Sequence, residues 1–386
     1  MKLVEVKTGR DDQKFWEVAR HIYRDDPNWY PPLDVEMKSL FHPQKNPLFK
    51  QGAKAKRWYI ESDGQPIARI AAFINPSYQK TYKIDVGGIG FFESPNDQEI
   101  ASRLFEVAED WLRDNNQIAV DGPINFGERN RWWGLLVDGF YLPTYGMAYN
   151  KPYYQKLWES AGYQELYKQF TYVRPVHDKF HPRVLAAAEK FHSDPNFSFE
   201  HFSWKNLDRY INALIHIYTK AWGSRPDARK LTYEEVKAEL THYKFLIDER
   251  LLWFAFYKNE PAAFFIMFRD ITPIVQKLNG KLNFINKLRF WWHLKFNPPR
   301  RMLAILYGVI PEFKATGLLY ALVYAAAQVI VPSGDYDELE MYWIGSFHPV
   351  MHRVVKFFDA QHTRTHITYR KMLKEGMEFI PHPTFK

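Results

Sequence analysis

A strand, a turn and a helix follow one another where the residue types could hold an anion. Residues 302–309 form an apolar run of strand length, which Pro311 ends because proline offers no N–H to a sheet. Gly317 then precedes an Ala- and Leu-rich run at 318–331 that predicts a buried helix. The N-terminus of such a helix presents free N–H groups, and Lys314 adds a cation in the turn. This order predicts a site for a phosphate or a carboxylate.

Further side chains downstream of this turn could move protons or hold a metal. Glu340 and Tyr342 share one face of a strand predicted at 338–343. His348 and His352 have the i, i+4 spacing of a helical zinc pair, but no third ligand is evident, so no metal is expected. The chain has no cysteine, which excludes disulfides, thiolate metal sites and a cysteine nucleophile.

The composition is that of a globular protein with material for two cores. The chain has 386 residues, of which 46% are hydrophobic, and two domains are expected at this length. The net charge of +8 suits an anionic cofactor, a membrane surface or nucleic acid, and does not choose among them. The first residues lack the apolar region of a signal peptide, and the run at 318–331 is shorter than the roughly 20 residues that span a bilayer. We therefore expect a cytoplasmic protein.

Both halves of the chain follow one plan of strands and helices. The first half shows the order β-α-β-β-β-α-β-α-β, and the second half repeats most of it. A proline-bearing stretch separates them, with Pro182 and Pro195 inside it. We predict an N-terminal domain at 1–175, a linker at 176–196 and a C-terminal domain at 197–386.

The turn in the second half resembles the pyrophosphate-binding turn of the GNAT (acyl-CoA N-acyltransferase) superfamily. There the fourth strand ends in V-x-P-x-[FY]-[RK]-G-x-G, and here the pattern is occupied by Val309, Pro311, Phe313, Lys314, Ala315, Thr316 and Gly317. Ala315 stands in place of the first glycine, and Thr316 in place of an arginine. The resemblance implies that acetyl-CoA or a longer acyl-CoA binds through Lys314 and the N–H groups of Thr316, Gly317 and Leu318, without a metal.

The first half is similar to bacterial tandem-GNAT proteins in several blocks. These are Arg69-Ile70-Ala71, Gly90-Phe91-Phe92-Glu93, Gly122-Pro123 with Asn125, and Asn150 with Pro152-Tyr153-Tyr154. Its own turn carries Asp97 and Glu99 where a pyrophosphate would arrive, and both acids favour the helix N-terminus themselves. We expect a degenerate GNAT-like domain that does not bind the cofactor. Asn125, Tyr153 and Tyr154 either face an acceptor substrate or only pack in the domain.

The resemblance implies an α/β (α+β) fold of two tandem GNAT-like domains, each a mixed, mostly antiparallel sheet flanked by helices. In that fold acyl-CoA lies between the splayed fourth and fifth strands, and an amine attacks the thioester directly. Glu340 is then the candidate base, and Tyr342 and His348 are candidates for the acid or for contacts with the acceptor. A structural role for each is the alternative. The tyrosine that often serves the family as general acid falls near Val355, which cannot transfer a proton.

Three functions are consistent with these residues. The first is transfer of an acyl group from acyl-CoA to an amine of an unknown small-molecule or peptide acceptor. The second is a catalytically inactive GNAT-fold protein that binds a ligand or a lipid, which Ala315, Thr316 and Val355 favour. The third is an aminoacyl transferase of the Fem type, which also uses tandem GNAT folds.

An insert at 270–300 interrupts the plan of the second half. Its residues are basic and aromatic, and on a helix Phe284, Ile285, Leu288, Trp291 and Trp292 share one stripe. The insert could pack on the protein, form a substrate lid, or contact a membrane peripherally through 281–301. No nucleic-acid motif accompanies the charge, so no nucleic acid is expected. We predict that the insert packs on the protein and borders the cleft.

Overall fold

The computed structural model describes residues 1–127, 131–223 and 230–383. The strands of the first half are β1 (Lys2–Glu5), β2 (Lys54–Ser62), β3 (Gln65–Ile74), β4 (Val86–Glu93), β5 (Ala119–Gly122), β6 (Leu135–Asp138) and β7 (Gln164–Pro175). Its helices are α1 (Gly9–Ile22), α2 (Asp34–Leu40), α3 (Pro76–Tyr82), α4 (Gln98–Asp114) and α5 (Tyr154–Ser160).

The second half adds strands β8 (Phe197–His201), β9 (Leu252–Tyr257), β10 (Glu260–Arg269), β11 (Arg301–Val309), β12 (Glu338–Gly345) and β13 (Gln361–Met372). Its helices are α6 (Pro182–His192), α7 (Leu207–Trp222), α8 (Tyr233–His242), α9 (Thr272–Val275), α10 (Phe284–Phe296), α11 (Leu318–Ser333) and α12 (Pro349–Phe357).

All these strands join in one 13-stranded sheet. The order is β1-β2-β3-β4-β5-β13-β7-β12-β11-β10-β9-β8, and β6 pairs with β13 off this path. Among the described pairs, β4–β5 and β11–β12 are parallel, and the others are antiparallel. The mixed, mostly antiparallel α/β class is confirmed. The sequence predicted a sheet for each half, and the structure adds that the two sheets are continuous.

The continuity arises because the halves exchange their last strands. β13, from the end of the second half, lies beside β5 of the first half. β7, from the end of the first half, lies beside β12 of the second half. These two long strands also pair with each other at the centre of the sheet. Each half therefore completes the sheet of the other half.

The helices bury apolar stripes against the sheet. In α4 the buried residues include Ile100, Leu104, Ala108 and Leu112, which lie on one face because they are spaced four apart. The apolar run in α11 is buried on several sides, as its uniform composition predicts. These two helices follow β4 and β11, so they begin at corresponding points of the two halves.

Each half has its own apolar core, and the exchanged strands contribute to both. Ile367 and Tyr369 of β13 lie in the core of the first half. Tyr172 of β7 packs against the core of the second half, which also contains Val184 and Phe191. The segment predicted as a linker, 176–196, contains α6, which packs against α11. The domain boundaries at 1–175 and 197–386 stay a prediction.

The insert is anchored at its start and exposed at its end. Val275 and Leu278 pack against Tyr30, Leu33 and Tyr145 of the first half. The apolar stripe of α10 is left open, with exposed fractions from 52% to 74% for Phe284, Ile285, Leu288, Trp291, Trp292 and Phe296. The prediction that the protein covers this stripe is wrong, because the opposite face of α10 is the one that docks. Among the described helices, none is long and apolar enough to cross a membrane.

Candidate active site

The predicted strand–turn–helix junction forms in the second half. β11 ends at Val309, and a single 3-10 turn (Pro311–Phe313) leads to α11, which begins at Leu318. Gly317 has a φ of +95°, in the left-handed region that favours glycine. Ala315 has a φ of +60°, so the backbone is glycine-like at the position of the family's first glycine despite the side chain.

The N-terminus of α11 is open. No side chain caps it, and the described residues include no backbone acceptor for the N–H groups of Leu318 and Leu319. The hydroxyl of Thr316 donates to the carbonyl of Phe313 at 2.7 Å, within the turn. Lys314 lies exposed beside them. Free N–H groups, the positive end of the helix dipole and a lysine can together hold a phosphate or a pyrophosphate.

β11 and β12 separate before they reach this turn. Their parallel pairing ends at Ala304 and Met341. Beyond this point β12 continues beside β7 through Ile344 and Gly345, while β11 continues beside β10 to Val309. The diverging strands border a cavity of about 260 Å³.

The cavity is lined mostly by apolar side chains from β11, β12, α11 and α12. They include Met302, Leu306, Met341, Val323 and Val354, and Phe358 just after α12 also lines the cavity. Arg174, Tyr342 and His348 are among its polar lining residues. No carboxylate lines it among the residues that the structure describes. An apolar wall beside an anion-binding turn suits a ligand with a hydrocarbon part and a phosphate part.

Glu340, the predicted base, does not line this cavity. It is fully buried on the other face of β12, where one carboxylate oxygen accepts from Arg364 at 3.2 Å and the other from Thr144 at 3.1 Å. Arg301 lies 3.5 Å from the same carboxylate. Burial raises the pKa of Glu340, and the arginines act against that rise. The carboxylate is already occupied by donors, so proton transfer at Glu340 would require an ion pair to break.

Tyr342 and His348 reach the cavity edge from two elements. The hydroxyl of Tyr342 donates to the carbonyl of Tyr145 at 3.3 Å, and burial raises its pKa, so the phenol remains protonated at neutral pH. His348 is half-buried at the residue that precedes α12. The ring nitrogens of His352 contact the Tyr172 hydroxyl at 3.2 Å and the Gly345 carbonyl at 3.1 Å. The described residues contain no group of three or more His, Cys, Asp or Glu arranged to hold a metal ion.

The candidate acceptor residues of the first half are engaged in internal hydrogen bonds. Asn125 accepts from the Trp133 indole at 2.5 Å. Tyr153 donates to the Ser94 carbonyl at 2.9 Å, and Tyr154 donates to Glu93 at 2.8 Å. Asn125 and Tyr154 line a second, smaller cavity of about 130 Å³, and Tyr153 is not among its lining residues. Their assignment to an acceptor stays a prediction.

Sequence reasoning did not find the residues that surround Glu340. Arg364 is fully buried and comes from β13, while Thr144 comes from a loop of the first half. No signal in the sequence pointed to them, because the strand that carries Arg364 and Arg370 is buried in the structure although its residues are mostly polar. Buried arginines require carboxylate partners, but the sequence does not say which ones.

The chain resembles two curated bacterial proteins along nearly its whole length, and no family model matches it. A protein named "Bacterial ceramide synthase" from Caulobacter vibrioides (strain NA1000 / CB15N) is 25% identical over 378 residues, which are 97% of this chain and 98% of that protein. Protein YghO from Escherichia coli (strain K12) is 24% identical over 380 residues, which are 96% of this chain and 95% of that protein.

Solved structures show the fold. A GCN5-related N-acetyltransferase from Sphaerobacter thermophilus superposes with a TM-score of 0.53 at 11% identity and covers 98% of both chains. A tandem GNAT protein from the clavulanic acid biosynthesis pathway gives a TM-score of 0.55 at 11% identity, with 97% of this chain and 99% of that chain covered. The chain therefore has the tandem GNAT fold.

Proposed function

We propose that this protein transfers an acyl group from an acyl-CoA thioester to the amine of an acceptor, in the cytoplasm, with the thioester held between β11 and β12. The observation that carries the proposal is the open N-terminus of α11 next to an apolar cavity in the splayed strands. The N–H groups of Gly317, Leu318 and Leu319, with Lys314, would hold the pyrophosphate. The apolar cavity would take the acyl chain, which favours acyl groups longer than acetyl.

Acyl-CoA supplies an activated carbonyl carbon, on which the acceptor nitrogen forms a C–N bond as the C–S bond breaks. The nitrogen loses a proton, and the departing sulfur gains one. His348 is our candidate to take the proton from the ammonium, because it is the histidine found among the described lining residues. Tyr342 stays protonated and is our candidate donor to the sulfur, and in that role its hydroxyl would have to leave the carbonyl of Tyr145. Glu340 holds Arg364 and the loop at Thr144 in place, and we assign it a positioning role.

The name of the relative from Caulobacter vibrioides supports our choice of acceptor class. A ceramide carries its acyl group on the nitrogen of a long-chain amino alcohol, so this name fits acyl transfer to an amine. An apolar cavity of about 260 Å³ is compatible with hydrocarbon in the same cleft. We therefore propose a long-chain amine as the acceptor, in preference to a peptide.

Calorimetry with coenzyme A tests the proposed binding site, with wild type and Lys314→Glu compared. Losing one charged contact should raise the Kd roughly ten- to a hundredfold, and repulsion should add to that. Lys45→Glu is the matched control, because Lys45 is also exposed and lies in the first half. Equal loss of affinity in both variants, or no binding by the wild type at millimolar ligand, contradicts the site.

The proposed transfer step is tested by measuring turnover of a long-chain acyl-CoA with a long-chain amine. His348→Gln should lower kcat with little change in the Kd for coenzyme A, while His177→Gln, at an exposed position, should change neither. Unchanged kcat in His348→Gln contradicts its role as the proton acceptor.

A second candidate is a protein that binds acyl-CoA or lipid without transferring a group. The absence of a carboxylate among the described lining residues favours it, because no carboxylate faces the reacting atoms. Saturable coenzyme A binding with no product from a panel of long-chain amines would select this candidate over the enzyme.

A further inference from the structure

The outer face of α10 is apolar over its whole length. Phe284, Ile285, Leu288, Trp291, Trp292 and Phe296 all point away from the protein and are more than half exposed. The helix has 13 residues and is therefore about 20 Å long. Phe245, which lies 5.1 Å from Trp291 between ring centroids, is also exposed and widens the patch. Contiguous exposed apolar surface of this kind usually marks a contact with another molecule.

The inner face of α10 is fixed to the protein. The amide of Asn286 is buried and donates to the carbonyls of Leu278 and Lys281 at 3.0 and 2.8 Å. Phe290 packs on the cluster that contains Leu33 and Tyr145 of the first half. These contacts hold the helix in place with its aromatic face toward solvent. The exposure of that face is therefore fixed by the packing of the opposite face.

The segment that carries this face has charges of one sign, although Arg300 and Arg301 at its end are paired with Asp337 and Glu338 elsewhere in the chain. Residues 271–301 contain no Asp or Glu, and they carry Lys277, Lys281, Lys287, Arg289, Lys295, Arg300 and Arg301. Lys281, Lys287, Arg289 and Lys295 are exposed on or next to α10. Two copies of this chain that met through this face would bring these cations together, which disfavours a dimer there. An anionic partner is favoured.

We propose that the outer face of α10 docks the protein on an anionic lipid bilayer. Tryptophan and phenylalanine insert into the boundary between headgroups and acyl chains, and flanking lysine and arginine contact anionic headgroups. The helix lies in the plane of the interface and does not cross it, in keeping with the absence of a spanning helix among the described residues. This docking does not depend on acyl transfer.

Flotation with vesicles tests the docking in the absence of any substrate. The full chain should float with vesicles of phosphatidylcholine and about 30% phosphatidylglycerol, and it should stay behind with phosphatidylcholine alone. Raising the salt to about 0.5 M should release it, because exposed charges are then screened. Equal flotation with both vesicles, or none with the anionic ones, overturns the proposal.

Two double variants separate the apolar and the charged contributions. Trp291→Ser with Trp292→Ser should lower the partition coefficient by roughly tenfold or more. The matched control is Leu185→Ser with Val350→Ser, at exposed apolar positions outside the insert, and it should bind as wild type. Lys287→Glu with Arg289→Glu should also lower partition by roughly tenfold, while Lys45→Glu with Lys50→Glu should change it by less than about twofold.

The outcomes distinguish a lipid bilayer from a second copy of this chain as the partner of the α10 face. Each variant is first compared with wild type by Tm, and the charge variant keeps the test available if the tryptophan variant fails to fold. If the control variants lose binding as strongly as the α10 variants, the proposal is overturned. If the wild type is a dimer that Trp291→Ser with Trp292→Ser makes monomeric, and neither floats, a second copy covers the face and the proposal is also overturned. Failure here leaves acyl transfer untouched, because no substrate takes part.

Discussion

The two halves contain the same strand–turn–helix junction in two different chemical states. In the first half Asp97 caps α4 and accepts from the N–H groups of Glu99 and Ile100 at 2.9 and 3.2 Å. In the second half Gly317 precedes α11, and no side chain caps the helix. A carboxylate thus occupies the first anion position, while the second remains available. The N–H groups at the start of α4 are therefore satisfied by the chain's own carboxylate, whereas no described side chain satisfies those at the start of α11.

The cavities of the two halves also differ in volume and in charge. In the first half the N–H of Ile124 donates to the carbonyl of Ile89 at 2.9 Å, which holds β4 and β5 together beyond their paired region. The cavity beside them is about 130 Å³ and includes the buried pair Arg69–Glu93, whose charged atoms lie 3.3 Å apart. The second half has an apolar cavity of about 260 Å³ where its strands diverge. The first half therefore offers less room and more charge.

Both halves nevertheless depend on β13, which carries a buried arginine for each. Arg370 forms a bidentate pair with Asp121 of β5 at 2.6 and 2.8 Å. Arg364 pairs with Glu340 of β12 at 3.2 Å. All four side chains are almost completely buried. The exchanged strand thus makes one ion pair with each half, and these two pairs allow the halves to be compared directly.

We expect the largest loss of stability when either ion pair is broken. Arg364→Met and Arg370→Met should each lower the free energy of unfolding by about 3–5 kcal/mol, because each removes the buried arginine that pairs with a buried carboxylate. Urea unfolding followed by circular dichroism measures this. The double variant Glu340→Leu with Arg364→Met should recover most of the loss, since an apolar pair can replace a buried ion pair at little cost. A loss below about 1 kcal/mol in Arg364→Met would mean that Arg301 or solvent satisfies the Glu340 carboxylate without Arg364.

The next largest effect is on the pH dependence of stability, and it tests whether β13 couples the unfolding of the two halves. His366 of β13 is buried, and burial lowers its pKa to about 4 from the usual 6.5. The unfolded chain binds more protons between these values, so stability is lost as the pH falls from 6.5 to 4. The difference corresponds to about 3 kcal/mol. His366→Gln should flatten this dependence relative to wild type. A single acid transition seen by probes in both halves supports coupling, and two separated transitions contradict it.

Local features of the fold were predictable from the sequence. The end of β11 at Val309 and the start of α11 at Leu318 follow from a proline, a glycine and the lengths of two apolar runs. The capping role of Asp97 follows from a carboxylate just before a periodic apolar stripe. These features depend on neighbours within a few residues, which a sequence displays directly.

Features that depend on distant partners were not predictable. The exchange of β7 and β13 was missed because both strands are rich in polar residues, and such a sequence does not say which neighbouring strand it pairs with. The hydrogen bonds that engage the Glu340 carboxylate were missed because Arg364 and Thr144 approach it only in the folded chain. The stripe on α10 was recognised, but an amphipathic pattern shows that one face is apolar and does not say what covers it.

The smallest effect concerns the two helix N-termini, and it addresses the opening comparison most directly. Asp97→Ala removes the cap of α4 and should cost about 1 kcal/mol of stability. Gly317→Ala puts a side chain at a φ of +95°, and it should cost about 1–2 kcal/mol. The two variants should differ in ligand response more than in stability. Coenzyme A should raise the Tm of Asp97→Ala as much as that of wild type, because the first half does not bind it in our proposal.

Gly317→Ala should respond less to coenzyme A, because its N–H groups lie in the proposed pyrophosphate site and the strained residue changes their directions. Thermal unfolding with and without millimolar coenzyme A measures both responses. If Asp97→Ala gains an additional shift, the carboxylate alone kept the first junction closed, and the two halves differ by one side chain. If Gly317→Ala responds as wild type, the N-terminus of α11 is not the pyrophosphate site, and the difference between the halves must then lie in their cavities.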